Sequence, residues 1–159
     1  MHPNAELLTR FYAAFAARDH ATMGACYADE AHFGDPAFPD LDGAQVRAMW
    51  RMLCERGADL KVEWSGIEAD DTTGKAHWEA WYTFSATGRK VHNVIDATFR
   101  FRDGKIVDHA DHFDFWRWSR QALGLPGLLL GWSGLLRGKV QKTAGGQLAA
   151  FMKNPKLRV

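Results

Sequence analysis

His109 and Asp111 are the pair whose types and spacing best suit proton transfer. They stand two apart in the run Lys105 to Trp116, whose β-branched and aromatic residues predict a strand. Alternate strand residues share a face, so His109, Asp111 and Phe113 lie together, while Asp108, Ala110, His112 and Asp114 lie opposite. A carboxylate beside an imidazole on one face can orient the ring and exchange a proton with it. The same spacing also suits a buried, mutually satisfied pair that only shapes the floor of a core. Asp35 opens an irregular loop ahead of Pro36, where a carboxylate can bond nearby backbone amides. Together His109, Asp111 and Asp35 could supply three metal ligands, but they come from distant segments without a known metal spacing, so no metal is expected.

Alternation in Lys75 to Ala86 puts Trp78, Ala80, Tyr82 and Phe84 on one side, and His77, Glu79 and Trp81 on the other. With the first set inward, the strand lines a pocket for a flat apolar ligand and Tyr82 is its one hydroxyl. Core packing is the alternative use of each of these rings. Asn93, inward on the next strand, could offer an amide to a ligand carbonyl or hydroxyl.

The elements that must position these groups follow from periodicity. Leu7, Leu8, Phe11 and Phe15 predict a first helix over Ala5 to Arg18, with Asn4 as its N-cap. Asp19 caps a second, short helix carrying Met23, Cys26 and Tyr27. Residues 31 to 43 allow at most a brief strand from Ala31 to Gly34 before a loop rich in proline and aspartate. Asp42 caps a third helix, Gly43 to Arg56, with Val46, Met49, Trp50 and Leu53 on one stripe. Strands are predicted over Asp59 to Ala69, Lys75 to Ala86, Lys90 to Arg102 and Lys105 to Trp116, joined by AspThrThrGly, ThrGly and AspGly turns. Helices followed by an antiparallel meander make an α+β fold, with the helices packed on one face of a curved sheet.

Residues 121 to 136 carry no charge, yet the segment is shorter than the roughly 20 residues of a spanning helix and is interrupted by Pro126 and several glycines. A packed extension, a pocket lid or a subunit contact is expected, with shallow membrane association as the minor alternative. A last helix is predicted over Lys139 to Met152 with Val140, Leu148 and Phe151 inward, followed by a frayed tail from Lys153.

The chain has 159 residues, enough for one domain that buries roughly two-thirds of its unfolded surface. Lys and Arg number 20 against 19 Asp and Glu, which argues against a nucleic-acid partner. The 2 cysteines, Cys26 and Cys54, have no CxxC spacing and read as buried thiols of a reducing compartment. The stretch MHPNAELLTRFY lacks the features of a secretory signal, so a cytoplasmic location is expected and a membrane partner is not.

Three stretches carry a resemblance to a known family: TyrAlaAspGluAlaHisPheGlyAspPro from Tyr27, PheArgPheArgAspGlyLysIleVal from Phe99, and HisAlaAspHisPheAspPheTrp from His109. With the element order, they resemble the nuclear transport factor 2-like superfamily and its SnoaL-like polyketide cyclases, ketosteroid isomerases and limonene epoxide hydrolases. The resemblance covers residues 5 to 118. It implies a cone-shaped, cystatin-like sheet over residues 1 to 118, with residues 119 to 159 as an extension packed on that domain or at a subunit interface. It also implies His109, Asp111, Trp78 and Phe113 pointing into the cone, and a homodimer formed through the outer face of the sheet, where Trp81 would lie.

Asp35 resembles the isomerase general base, while Phe11 holds the place of that family's oxyanion tyrosine and Tyr12 stands one residue on. Asp111 resembles the epoxide hydrolase base, while Trp78 and Ala80 fill the positions of its Arg-x-Asp pair. The implied activity is cofactor-independent acid and base catalysis, of isomerase, cyclase or hydrolase type, on an apolar cyclic or polyketide-like molecule. Asp35 or Asp111 would be the base, His109 the proton partner, and Tyr12 or Tyr82 a donor; Trp78, Tyr82, Asn93 and Phe113 would line the pocket. A non-catalytic carrier for a hydrophobic ligand is the alternative, and a scaffold assembling through residues 121 to 136 the third reading.

Overall fold

The computed structural model describes residues 1–154. Its first helix, α1 (Pro3–Ala16), starts earlier than the apolar spacing suggested and is capped by His2, whose Nδ1 accepts from the Asn4 amide at 3.0 Å. Pro3 explains the shift, since its fixed φ and missing N–H suit the first helical turn. Asn4, the expected cap, instead lies within the helix and donates to the Asp70 carbonyl at 3.0 Å. The short helix α2 (His20–Ala25) is capped by Asp19 as expected. Strand β1 (Tyr27–Gly34) begins where that helix was expected to continue, and the two-residue β2 (Leu41–Asp42) leads into α3 (Gly43–Arg56). Asp42 and Gln45 close a reciprocal capping box at the start of α3.

The predicted meander is present as β3 (Lys61–Ala69), β4 (Thr73–Phe84), β5 (Arg89–Arg102) and β6 (Lys105–His112). The β5–β6 turn uses Asp103 and Gly104, both at positive φ, which fixes the register of the hairpin. The six strands lie in the order β2-β1-β6-β5-β4-β3, antiparallel except for β1 against β6. The strand expected to reach Trp116 stops at His112. Asp114 accepts from the Arg117 amide at 3.1 Å and caps α4 (Phe115–Leu123), so Phe115 and Trp116 are helical.

The helices α1 and α3 pack on the concave side of the sheet, and Phe11, Phe15, Met49, Trp50, Ile95 and Ile106 are almost wholly buried between them. β5 extends past the end of β6, which leaves a free sheet edge near His92. Gln121 of α4 covers it: its side-chain oxygen accepts from the His92 amide at 2.8 Å and its side-chain nitrogen donates to the His92 carbonyl at 3.1 Å. Beyond α4 the chain forms α5 (Leu125–Leu130) and α6 (Gly134–Met152), the latter starting five residues before the expected Lys139. Leu148 and Phe151 are buried on it and Val140 is half-buried. The tail expected to fray lies mostly outside the described residues.

α5 crosses α4 at the closest distance the backbone allows. A methyl group added to Gly127 would stand 1.9 Å from the Ser119 carbonyl oxygen, an impossible separation. Gly127→Ala should therefore push α5 off α4 and lower stability by about 1–3 kcal/mol, read by denaturant unfolding. An unchanged midpoint would mean that α5 contributes nothing to the folded state.

Candidate active site

The concave face of β6 carries His109 and Asp111 into the aromatic core, as alternation requires, with side chains 0% and 2% exposed. Asp111 Oδ1 lies 2.9 Å from His109 Nε2 and accepts from Trp78 Nε1 at 3.3 Å. Tyr27 Oη lies 2.7 Å from His109 Nδ1, and Trp50 Nε1 donates to Tyr27 Oη at 2.9 Å. An ionised carboxylate can only accept, so a neutral His109 carries its proton on Nε2 and donates to Asp111; its bare Nδ1 then accepts from the Tyr27 hydroxyl, which itself accepts from the Trp50 N–H. One directed chain results, from Trp50 through Tyr27 and His109 to Asp111, with Trp78 donating to the same oxygen.

Rings hold this chain in place. Trp50 and Tyr27 lie nearly parallel to the imidazole, at interplanar angles of 19° and 18°, while Phe33 and Phe11 meet it edge-on. Phe11, at the position of the isomerase tyrosine, therefore packs on His109 instead of donating to a ligand. Tyr12 turns the other way, toward Trp64 and Trp78, and its buried hydroxyl has no hydrogen-bond partner among the described residues. Burial, with the Asp111 charge adding to it, holds the Tyr12 proton well above the ordinary phenol range. Burial does the same for Tyr27, against the opposing Trp50 bond.

Asp35 follows directly on β1. In the parallel β1–β6 register Phe33 faces His109 and Gly34 faces Ala110, so the next step along both strands brings Asp35 alongside Asp111. Its Oδ1 accepts from the amides of Ala37 and Phe38 at 2.7 and 2.6 Å, the local turn expected of an aspartate before proline. The carboxyl keeps some contact with solvent, yet burial pushes it up to about 7 and the Asp111 charge adds to the rise; the two amides and Arg137 oppose it. Tyr82 faces the same region: Trp118 of α4 donates to its hydroxyl at 2.8 Å, and burial, reinforced by the Asp35 charge, lifts its proton to about 12.

The expected lining residues are distributed along this axis. Trp78 is buried beside Asp111, whereas Tyr82, Asn93 and Phe113 are half-buried nearer the wide end of the sheet. Phe113 joins the main core to a smaller cluster formed by Val91, Phe115, Trp118 and Ala122. Among the described residues no three His, Cys, Asp or Glu side chains are grouped so as to hold a metal ion.

Tyr27, Trp50 and Arg137 are the participants that sequence reasoning did not assign to the site. Trp50 and Tyr27 had been read only as apolar stripe residues, although a buried indole or phenol ordinarily needs a polar partner. Arg137 belongs to the extension, where no motif pointed. There α6 reaches back to the Asp35 loop, and Gln141 donates to the Pro36 carbonyl at 3.0 Å.

Comparison with solved structures finds the same architecture in several proteins of one fold. An LEH-like epoxide hydrolase from M. tuberculosis superposes with a TM-score of 0.63 at 19% identity, covering 80% of this chain and 96% of its own. IdmH, a proposed polyketide cyclase from Streptomyces antibioticus, gives 0.64 at 22% identity over 78% of this chain and 100% of its own. A proposed SnoaL-like polyketide cyclase from Jannaschia sp. CCS1 gives 0.66 at 12% identity, covering 78% and 93%. Identities this low establish the shared fold alone. None of the curated proteins compared matches the chain. Residues 8–109 match the SnoaL-like domain, and the chain belongs to that family.

Proposed function

We propose that the protein is a cofactor-independent acid–base enzyme acting on an apolar cyclic molecule that carries an enolisable carbonyl. The observation that carries this reading is a second carboxylate, Asp35, set beside the buried His109–Asp111 pair with a proton affinity near neutrality. A base of that strength can take a proton from an acidic carbon and return it at pH 7. Asp111, tied by His109 and Trp78 through Oδ1, raises the basicity of Asp35 by its charge. The unpartnered Tyr12 hydroxyl is the donor for the oxygen on which charge develops, with Tyr82 as a second phenol nearer the mouth. Trp78, Asn93 and Phe113 supply the walls. The reading includes a cytoplasmic homodimer joined through the outer sheet face, where Trp81 stacks on His92 with ring centroids 4.5 Å apart.

A carrier of hydrophobic ligands is the second reading, and one observation favours it. The His109 ring is wholly enclosed and every one of its polar atoms is satisfied within the protein, as in a purely structural pair. Native mass spectrometry of the gently purified protein separates the two, because a carrier retains its ligand stoichiometrically and an enzyme is empty or holds product.

Proton exchange at the acidic carbon of 2-tetralone in heavy water, followed by NMR, reports the proposed chemistry directly. The rate should rise through an apparent pKa near 7 and fall by about 100-fold in Asp35→Asn. No acceleration by the native protein, or none lost in the variant, would remove Asp35 as the base. The same group shapes stability. Its folded pKa of about 7 exceeds the ordinary 3.8, so the folded state holds the proton more tightly and stability declines as pH rises from about 4 to 7, levelling above. Asp35→Asn should abolish that decline, whose ceiling before allowance for solvent contact is about 4 kcal/mol over the whole span and about 2–3 kcal/mol between pH 5 and 8, where urea unfolding reads it.

Tyr12→Phe removes a buried hydroxyl that has no partner, so stability should hold or rise by up to about 1 kcal/mol while exchange slows at least tenfold. Unchanged exchange would show that the hydroxyl is not the donor.

A further inference from the structure

The outer surface of α5 inverts the usual arrangement of a packed helix. Gly127 faces the protein, against Ser119, while Leu125, Leu129 and Leu130 face solvent at 65%, 58% and 45% exposure. Trp132 and Leu135, just beyond, are 75% and 80% exposed. These side chains leave a cluster of large apolar groups in solvent within eleven consecutive positions, a pattern that marks interaction surfaces. Its immediate surroundings are cationic. Arg120 lies over the Trp116 ring at 4.0 Å, Arg137 over Phe115 at 5.8 Å, and a shallow depression beside them is lined by Arg89, Lys90, Arg117, Arg120 and Gln121.

Charge is segregated along the chain in the same sense. From Phe115 to Asn154 there is no Asp or Glu, while Arg117, Arg120, Arg137, Lys139, Lys142 and Lys153 occur there. The whole chain is only +1, so the cone carries the compensating acid. Exposed leucines and an exposed tryptophan, on a segment whose charged residues beyond the Asp114 cap are all arginine and lysine, are complementary to a surface that is apolar beneath and anionic above. We propose that the α4–α5 hairpin and the start of α6 seat the protein on the face of an anionic lipid bilayer, with Leu129, Leu130, Trp132 and Leu135 entering the headgroup boundary and the arginines on lipid phosphates. No helix among the described residues is long and apolar enough to cross a membrane, so the contact lies in the surface plane. Shallow membrane association is the minor alternative that the sequence allows for residues 121 to 136.

A second copy of the chain is the competing occupant, and charge disfavours it. A two-fold contact through this patch would bring Arg117, Arg120 and Arg137 against their own counterparts.

Sedimentation with vesicles tests the assignment. The native chain should bind vesicles containing about one-quarter phosphatidylglycerol, at least tenfold more strongly than pure phosphatidylcholine, and high salt should release it. Leu129→Glu combined with Trp132→Glu alters only exposed side chains, so melting should be unchanged while binding falls by about tenfold or more. Arg117→Gln with Lys139→Gln should weaken the anionic preference and its salt dependence. Failure to bind anionic vesicles overturns the proposal, as does undiminished binding by the Leu129/Trp132 variant. If that variant instead converts a native dimer to monomer in lipid-free ultracentrifugation, the patch belongs to a second copy and the proposal is likewise overturned.

Discussion

Asp111 places a carboxylate in an interior otherwise built of rings, where such a group costs several kcal/mol unless donors replace its water. The answer in this fold is a directed chain of hydrogen bonds, and each link brings its own element. Trp78 comes from β4, His109 from β6, Tyr27 from the first residue of β1 and Trp50 from the middle of α3. Shifting either strand by one residue would expel one partner to the outer face and leave the others with unpaired polar atoms in the core. The polar chain therefore fixes registers that hydrophobic packing alone would specify less sharply. It also holds a neutral imidazole in one tautomer, because the Asp111 carboxylate can only accept and so takes the Nε2 proton.

Asp35 inherits its properties from this arrangement. The parallel β1–β6 pairing carries the chain to the level of Asp111 just as the strand ends, and Pro36 forces the turn that aims the carboxyl inward. Two amides satisfy one of its oxygens, but burial and the Asp111 charge outweigh them, and the balance falls near neutrality. Had the amides dominated, as they do for the exposed Asp70 at its turn, the carboxyl would be held below its ordinary range. The same local turn thus yields a spectator at the surface and a candidate base inside the cone, and the difference is burial.

The parts of the fold readable in the sequence are those set by neighbours along the chain. Period-two alternation put His109 and Asp111 on one face; the AspGly turn at residues 103–104 set the pairing of Phe101 with Ile106, but an irregularity between Arg100 and Phe101, which nothing in the sequence signalled, shifts the register by one residue to place His109 opposite Phe99. The cap at Asp42 and the stripe on α3 were legible for the same reason. Tyr27 was not, because its hydroxyl meets a histidine 82 positions away and nothing adjacent to it signals that partner. The end of β6 was misplaced because Phe115 and Trp116 continue an aromatic run, while the feature that turns the chain is the Asp114 cap, a polar side chain inside that run. Two charged side chains therefore mattered more than the surrounding aromatics: Asp114 ends the sheet and Asp111 organises it.

The extension links the two ends of this argument. α4 covers the unpaired edge of β5 through Gln121 and touches Tyr82 through Trp118. α6 continues to the Asp35 loop, where Gln141 fixes the Pro36 carbonyl and the Arg137 guanidinium opposes the rise of the Asp35 carboxyl. Arg137 also lies beside Phe115, at the rim of the exposed leucine surface. A counter-charge that moved Arg137 away from Asp35 would remove one of the forces lowering its proton affinity and leave a stronger base.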